Sequence, residues 1–130
     1  MTTTTAGGYE PGVCNIGPAE IALRRRLGDL GLVATVVTWI GLLALDAPPI
    51  ARLLVGVPAA GAASGYLQAG LRFCAAYGSR GVSNFGALGN AQRVADADAR
   101  ARDRARSLQI GLASAGIGAV VGLAAAVIRR

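Results

Sequence analysis

Three apolar runs, each close to the length of a membrane span, constrain this chain more than any other feature. Leu30–Leu45 has 16 residues without a charge, Ile50–Leu71 has 22 residues with one charge at Arg52, and Leu108–Ile128 has 21 uncharged residues. A spanning helix needs about 20 apolar residues, with a range of about 17–25. The first run reaches that range when its flanking residues are included. The sequence therefore predicts three membrane helices.

The composition favours the same class of protein. Hydrophobic residues make up 53% of the chain but aromatic residues only 5%, so most of the apolar content is Ala, Gly, Leu and Val. A soluble core built from such small side chains would bury little area per residue. In a lipid-embedded bundle, small side chains instead let helix backbones approach closely. The composition therefore predicts an all-α integral membrane protein.

The charge has two interpretations. All 13 basic residues are arginines and the formal net charge is +6, a balance that is compatible with nucleic-acid binding or with membrane topology. If the N-terminus is inside, the inner segments hold ten arginines and the outer segments three. This ratio follows the positive-inside rule. We therefore expect a multi-pass protein of the cytoplasmic (inner) membrane with a cytoplasmic N-terminus, the lipid bilayer as a partner, and no nucleic acid.

The residues between the first two runs predict a tight hairpin. The segment Asp46-Ala-Pro-Pro stops the first helix because proline cannot extend it, while Pro49 suits the first turn of the next helix. So short a connection requires antiparallel helices. Gly61 and Gly65 give the second helix a small face that is expected to pack on the first. Arg52 is expected to extend its charged end to the membrane surface.

A second small face lies on the third apolar run. Ser114, Gly118, Gly122 and Ala126 follow one another at four-residue spacing, and Gly118 with Gly122 forms a GxxxG pair. Such pairs are typical of helix association in membranes. We expect this face to pack on the hairpin or on another copy of the chain.

The remaining segments are predicted to form a tail, a loop and amphipathic helices on the cytoplasmic side. Residues 1–13 are expected to be a flexible tail, followed by Asn15 as the N-cap of a short helix that lies on the membrane surface as far as Arg26. Residues 85–107 are expected to form a loop and an Ala/Arg helix, either solvated or in contact with anionic head groups or a partner subunit. The thin apolar stripe of this helix consists of Val94, Ala97, Ala101, Ala105 and Leu108.

Cys14 and Cys74 are the candidates for thiol or metal chemistry. One precedes the first membrane helix and the other ends the second, so the hairpin places both at the cytoplasmic interface. A stable disulfide is not expected on the reducing side of the membrane. Two thiols fall short of the four ligands of structural zinc, although a homodimer would supply four. The chain has no histidine and no recognisable catalytic set, so we predict no enzyme activity and no cofactor.

The segment that follows the second apolar run combines arginines with a glycine-rich loop. Arg72 and Arg80, together with the glycine-rich loop, place positive charge beside backbone amides, as in a seat for an anion or a lipid phosphate. A plain interfacial loop accounts for the same residues. Phe73 and Tyr77 are expected to serve as interfacial anchors, as aromatic residues do at membrane surfaces.

Two short motifs resemble those of a known family. They are Asn15-x-Gly17 with Glu20, Arg24 and Gly28, and Cys74-x-x-Tyr77-x-x-x-Gly81. The region of about Cys14 to Asn84 is similar to the YgaP-like transmembrane domain family. The resemblance implies a two-helix hairpin in the cytoplasmic membrane, sometimes fused to a rhodanese sulfurtransferase domain and dimeric in the fused members.

The chain also departs from that family. Ile21 stands where the family has its first arginine, Ala75 replaces a proline, and the third helix is additional. No rhodanese domain or active-site cysteine loop is present in the sequence. The resemblance therefore does not carry sulfur transfer over to Cys74.

These patterns divide the chain into a tail (1–13), a membrane hairpin (14–84), a cytoplasmic loop and helix (85–107) and a third membrane helix (108–130). The predicted function is that of a small non-catalytic membrane protein acting through helix packing, as a homo-oligomer or an accessory subunit of a membrane complex. The packing residues are Gly61, Gly65, Gly118 and Gly122. The alternative is a cytoplasmic-face thiol or metal site, at Cys14 and Cys74, in sulfur or redox handling. Solute passage through an oligomer has only family analogy behind it.

Overall fold

Five helices and one small strand pair make up the structure, a computed structural model that describes residues 8–128. Two long helices, α1 (Pro18–Ala44) and α5 (Ala97–Val127), flank the second leg of the hairpin. That leg consists of α2 (Pro49–Arg52), a 3-10 turn (Leu53–Val55) and α3 (Gly56–Leu71). A short helix and two strands connect α3 to α5, and they are α4 (Ala75–Arg80), β1 (Val82–Ser83) and β2 (Gln92–Arg93), the strands being antiparallel.

Three of these segments are long and apolar enough to cross a membrane. They are Pro18–Ala44, Pro49–Leu71 and Ala97–Val127. The prediction of an all-α fold with a hairpin and a third apolar helix is confirmed, and the three helices indicate a membrane protein. Residues 129 and 130, which entered the count of outer arginines, lie outside the described residues.

The helix that begins at Pro18 continues without a break into the first apolar run. The predicted separate surface helix ending near Arg26 is therefore wrong. Leu, Ala and Arg are good helix formers, and no proline lies between the charged and apolar halves. Gly28 and Gly31, which are weak helix formers, lie at the junction, and both pack closely against α3. The predicted N-cap is also wrong, because Gly17 takes that position and the Asn15 side chain bonds to residue 74 instead.

The Ala/Arg segment likewise continues directly into the third apolar run, and α5 begins with Asp96 as its N-cap. Of the predicted apolar stripe, only Val94 is buried, in the loop before α5, and the prediction is wrong for Ala97, Ala101, Ala105 and Leu108, which are exposed. The face that α5 buries is made mainly of small and polar residues, and it comprises Ala99, Asp103, Ser107, Ile110, Ser114, Gly118, Gly122 and Ala125. This face is buried because other segments pack against it, and not because its residues are apolar.

Close backbone contacts place α3 between α1 and α5. A Cβ built on Gly65 would lie 2.5 Å from the Gly28 nitrogen, and one on Gly118 would lie 2.6 Å from the Gly56 oxygen. A Cβ on Gly122 would lie 2.8 Å from the Leu53 oxygen. Only glycine permits such approaches, so the small face of α5 packs on the hairpin of its own chain. Gly61 is different, because a Cβ there meets nothing within 4 Å, and the prediction that it packs on the first helix is wrong.

Arg52 closes the end of the bundle where α1 ends and α5 ends. Its side chain is only 8% exposed, because it packs against the end of α5, and its extension to the membrane surface stays a prediction. It donates from Nε to the Ala125 oxygen at 2.9 Å, from Nη2 to the Ala126 oxygen at 2.7 Å and from Nη1 to the Ala47 oxygen at 2.9 Å. The last carbonyls of a helix lack intrahelical partners and carry partial negative charge. The guanidinium satisfies two of them.

We predict that Gly65→Leu lowers the free energy of unfolding by about 3 kcal/mol, since overpacking a close contact costs about 1–3 kcal/mol and occasionally more. Gly61→Leu is the matched control, because it adds the same side chain to the same helix where there is open space. Reversible unfolding in detergent compares the two. Equal stabilities for both variants would contradict the packing of α3 on α1.

Candidate functional site

A buried polar network lies at the end of the bundle where α1 begins and α3 ends, which we call the polar end. Asn15 is fully buried there. Its side-chain amide donates to the Cys74 oxygen at 3.1 Å and accepts from the Cys74 nitrogen at 2.7 Å, while its backbone nitrogen donates to the Arg72 oxygen at 3.1 Å. One asparagine thus joins the segment before α1 to the segment after α3.

The chain after β1 passes beside the same segment. The Asn84 nitrogen donates to the Asn15 oxygen and the Gly17 nitrogen donates to the Asn84 oxygen, each at 2.9 Å. A Cβ on Gly17 would lie 2.9 Å from the Phe85 backbone, so glycine is needed for this approach. The two segments therefore form a short parallel bridge, with Ile16 paired to Asn84.

Glu20 is the centre of the network. Its carboxylate is 1% exposed and accepts from the Tyr77 hydroxyl at 2.6 Å and from the Asn84 side-chain amide at 2.8 Å. Its other oxygen lies 2.9 Å from Nη1 of Arg24. Charged groups removed from water need both a counter-charge and hydrogen bonds, and Glu20 has both.

Arg24 connects the carboxylate to a thiol. Its Nη2 donates to the Cys74 sulfur at 2.8 Å, and its guanidinium lies 5.7 Å from the centre of the Tyr77 ring. A guanidinium over an aromatic face adds an electrostatic attraction. Arg24, Glu20, Tyr77 and Cys74 therefore act as one unit that holds α4 against α1.

A second buried carboxylate ties the N-terminal segment to α5. Asp103 is fully buried and accepts from the Tyr9 hydroxyl at 2.7 Å and from the Gly12 nitrogen at 2.8 Å. Arg106 donates from Nε to the Gly12 oxygen at 3.1 Å. The prediction of a flexible tail is wrong for residues 8–13, which we call the strap. Residues 1–7 lie outside the described residues.

The predicted interfacial residues divide into two groups. Arg72 and Arg80 are exposed. Phe73 is fully buried, and the Tyr77 hydroxyl donates to Glu20. Neither residue is a lipid anchor, and that prediction is wrong. Phe73 lies beneath α4, where a Cβ on Gly78 would come within 2.8 Å of its ring.

The two cysteines are free and lie in adjacent segments of the polar end. Cys14 donates to the Ile16 oxygen at 3.7 Å, and burial raises the pKa of its thiol. Cys74 contacts Arg24 instead. Within residues 8–128 no group of three or more His, Cys, Asp or Glu residues is placed to hold a metal. A thiol or metal role for the pair stays a prediction.

Sequence reasoning missed several members of the network. Among the sequence-based predictions, Glu20 appears only within a short motif, and Asn84, Asp103 and Tyr9 have no role. The available signal was chemical, because carboxylates within an arginine-rich segment beside a membrane span need a donor partner. The sequence does not show which residue is the partner of each carboxylate.

The network is chemically saturated. The carboxylate of Glu20 has three donors, and both the oxygen and the nitrogen of the Asn15 side chain are bonded. Such an arrangement fixes the position of segments rather than leaving a group free to react. The polar end is therefore best described as a structural lock on the membrane helices.

Comparisons with models of protein families, with curated proteins and with solved structures found no match. The resemblance to the YgaP-like family therefore stays a prediction. The structure does bring together residues from both short motifs that suggested it, namely Asn15, Glu20 and Arg24 from one and Cys74 and Tyr77 from the other.

We predict that Glu20→Ala lowers the free energy of unfolding by about 3 kcal/mol, because it leaves the partly buried Arg24 charge uncompensated and the buried Asn84 amide without this acceptor. Asp98→Ala removes an exposed carboxylate from the first turn of α5 and should cost less than about 1 kcal/mol. Reversible unfolding in detergent measures both. A Glu20→Ala protein as stable as the control would show that the network does not hold the fold.

We also predict that the protein loses stability at alkaline pH. Burial and then a hydrogen bond to Asp103 raise the pKa of Tyr9, and a hydrogen bond to Glu20 raises the pKa of Tyr77 above its ordinary value of 10.0. Raised values mean that the folded state binds more protons than the unfolded state. Their contribution is complete below pH 10.0 and disappears as the pH rises above it.

The measurement is the melting temperature at pH values from 8 to 11, a range of about three pH units. A Cys14→Ser background removes a thiol whose raised pKa acts in the same direction. In that background, Tyr9→Phe with Tyr77→Phe should flatten the decline above pH 10.0. An equally steep decline in the double variant would refute the assignment to these tyrosines.

Proposed function

We propose that this chain is a non-catalytic integral membrane protein that acts through helix packing, as a homo-oligomer or as an accessory subunit of a membrane complex. The observation that carries the proposal is the exposure of α1. Only 6% of its most apolar window is buried, against 28% for each of the other two candidate spans. A helix with so few fully buried residues in this window leaves most of the window's surface available for another helix.

The exposed surface of α1 has the spacing of a helix-packing seam. Leu30, Val33, Val37 and Ile40 are between 58% and 65% exposed and follow one another at intervals of three, four and three residues. Apolar residues at such alternating spacing form the a and d positions of a coiled coil. We call these four residues the α1 seam, and it points away from Gly31, which packs on α3.

The α1 seam replaces the glycines that the sequence suggested for assembly. Gly65, Gly118 and Gly122 are occupied by contacts within the chain, so they build the three-helix unit. The partner helix would then pack on the outside of a unit that is already formed. The hydrogen-bond network of the polar end supports this role, because it fixes the segments on either side of α1 in relation to one another.

The proposed location is the cytoplasmic membrane, with the polar end in the cytoplasm. Arginines are concentrated at the polar end, and Arg52 lies at the other end of the bundle. The positive-inside rule supports this orientation. The N-terminal segment belongs to the polar end through its bonds to Asp103, so it would be cytoplasmic as well.

The test is the mass of the complex that the protein forms in mild detergent, measured by sedimentation equilibrium or native mass spectrometry. We expect a homo-oligomer or a stoichiometric complex with another membrane protein. Val33→Phe with Val37→Phe should weaken that assembly at least tenfold, equivalent to about 1.4 kcal/mol. Val120→Phe on the exposed face of α5 is the control and should leave it intact.

Two outcomes would contradict the proposal. One is a parent protein that remains monomeric and brings no membrane protein with it. The other is an assembly that withstands changes in the α1 seam as well as it withstands the change at Val120.

A further inference from the structure

The membrane spans on the two sides of α3 differ in the length of their uncharged parts. At a helical rise of about 1.5 Å per residue, the 16 residues Leu30–Leu45 span about 24 Å, whereas the 21 residues Leu108–Ile128 span about 32 Å. The hydrocarbon core of a typical bilayer is about 30 Å thick. The span of α1 is therefore about 6 Å too short for such a bilayer, while the span of α5 is long enough.

The spans lie at one level at the end of the bundle that is opposite the polar end. Arg52 donates there to the carbonyl oxygens of Ala125 and Ala126 near the end of α5 and to that of Ala47 just after α1. Since these ends are level, the difference in length between α1 and α5 lies at the polar end.

At the polar end, the charged part of α1 begins closer to the middle of the bundle than the charged parts that flank the other spans. Gly28 packs against Gly65 of α3, so Asp29 is close to the level of this contact. From Gly65, α3 continues for six more residues, or about 9 Å, before Arg72 follows it. The uncharged part of α3 therefore extends beyond that of α1.

The apolar run of α5 ends near the end of α3. Gly78, shortly after α3, lies against Ser107, which is the residue before that run. The exposed side chains of Leu71 on α3 and Leu108 on α5 are thus apolar at a level where α1 is already charged. The apolar surface of the bundle is shorter beside α1 than beside α5.

Asp29 marks the depth that lipid head groups reach beside α1. Its carboxylate is exposed and accepts from the hydroxyl of Tyr66, and tyrosine is enriched at membrane surfaces. Long arginine side chains, such as those of Arg25 and Arg26, can extend from a deeper position to the head groups, but an aspartate side chain is too short for this. Because a carboxylate in hydrocarbon is costly, we expect the bilayer surface to lie at Asp29.

We propose that the bilayer is thinner beside α1 than beside α5, and that α1 preferentially contacts phospholipids with short acyl chains. A bilayer adapts to a span that is too short by thinning around it, at a cost that grows with the mismatch. Short chains lower that cost beside α1 and give no such gain beside α5. The inference rests on the membrane character of the three spans and does not require a partner at the α1 seam.

The experiment uses Trp39 as a probe for the lipids beside α1, because it is the only tryptophan in the chain and is partly exposed on that helix. The full chain is reconstituted in vesicles that contain a brominated phosphatidylcholine, which quenches tryptophan fluorescence on contact. Phosphatidylcholines with chains of about 14, 18 and 22 carbons then compete for the same contacts. We expect the shortest lipid to displace the quencher about threefold better than the longest. Equal displacement by all three lipids would overturn the inference.

A second probe at the same depth compares the other side of the bundle. Trp39 and Ala124 of α5 line one apolar pocket, and the neighbouring Leu123 is exposed. Trp39→Phe with Leu123→Trp therefore moves the probe to α5 at nearly the same depth. There the shortest lipid should have no advantage over the lipid of about 18 carbons. An equal preference for short chains at both probes would contradict a difference in thickness between the two sides.

Two pairs of substitutions that leave the net charge unchanged test the length of the span. Arg26→Leu with Asp29→Leu extends the uncharged run of α1 by four residues, or about 6 Å, and should abolish the preference at Trp39. Asp98→Leu with Arg102→Leu replaces the same residue types on the exposed part of α5 outside its apolar run, and should preserve the preference.

Tyr66→Phe is a further control, because it removes the hydrogen bond to Asp29 without lengthening the span. Loss of the preference in either control, or its survival in the lengthened variant, would overturn the inference. The mass of the complex is recorded for the same preparations. A monomer that keeps the preference for short chains refutes the proposed assembly alone, and an intact oligomer without that preference refutes this inference alone.

Discussion

The Glu20 carboxylate is the interaction on which the polar end depends. It joins α1, which also holds Arg24, to Tyr77 of α4 and to Asn84 after β1, which lie 57 and 64 residues further along the chain. Burying a carboxylate is costly, and the cost is offset only while every donor is in place. The network is therefore cooperative in a way that a set of apolar contacts is not.

The rest of the fold follows from the need to satisfy polar groups at both ends and to pack small residues between them. Arg52 closes one end by bonding the last carbonyls of α5, and the Glu20 and Asp103 clusters close the other. In between, glycines let α3 approach α1 and α5 closely enough for backbone contact. Because this packing uses the inner faces, the apolar outer face of α1 is left for lipid or for another helix.

The sequence predicted the three spans, the antiparallel hairpin and the close contact at Gly65, because length, hydropathy and small-residue spacing are local properties. It also predicted that Cys14 and Cys74 lie at the same end of the hairpin, where the structure joins their segments through Asn15. It predicted part of the buried face of α5, namely Ser114, Gly118 and Gly122, but not the part that includes Asp103, since Asp103 is buried by a partner, Tyr9, that lies 94 residues away. The continuity of α1 and α5 was missed because charged and apolar halves were treated as separate helices, although no proline lies between them. The Arg52 contacts depend on where α5 ends, which only the tertiary structure shows.

A double-mutant cycle between Glu20→Gln and Asn84→Ala tests most directly whether the carboxylate holds the polar end together. The four proteins are compared by reversible unfolding in the same detergent. Residues that share one hydrogen-bond network are coupled by about 0.5–3 kcal/mol, and we expect a coupling of at least 1 kcal/mol within that range. If the two effects simply add, to within about 0.5 kcal/mol, then Glu20 and Asn84 do not act together and the description of the polar end as a lock is wrong.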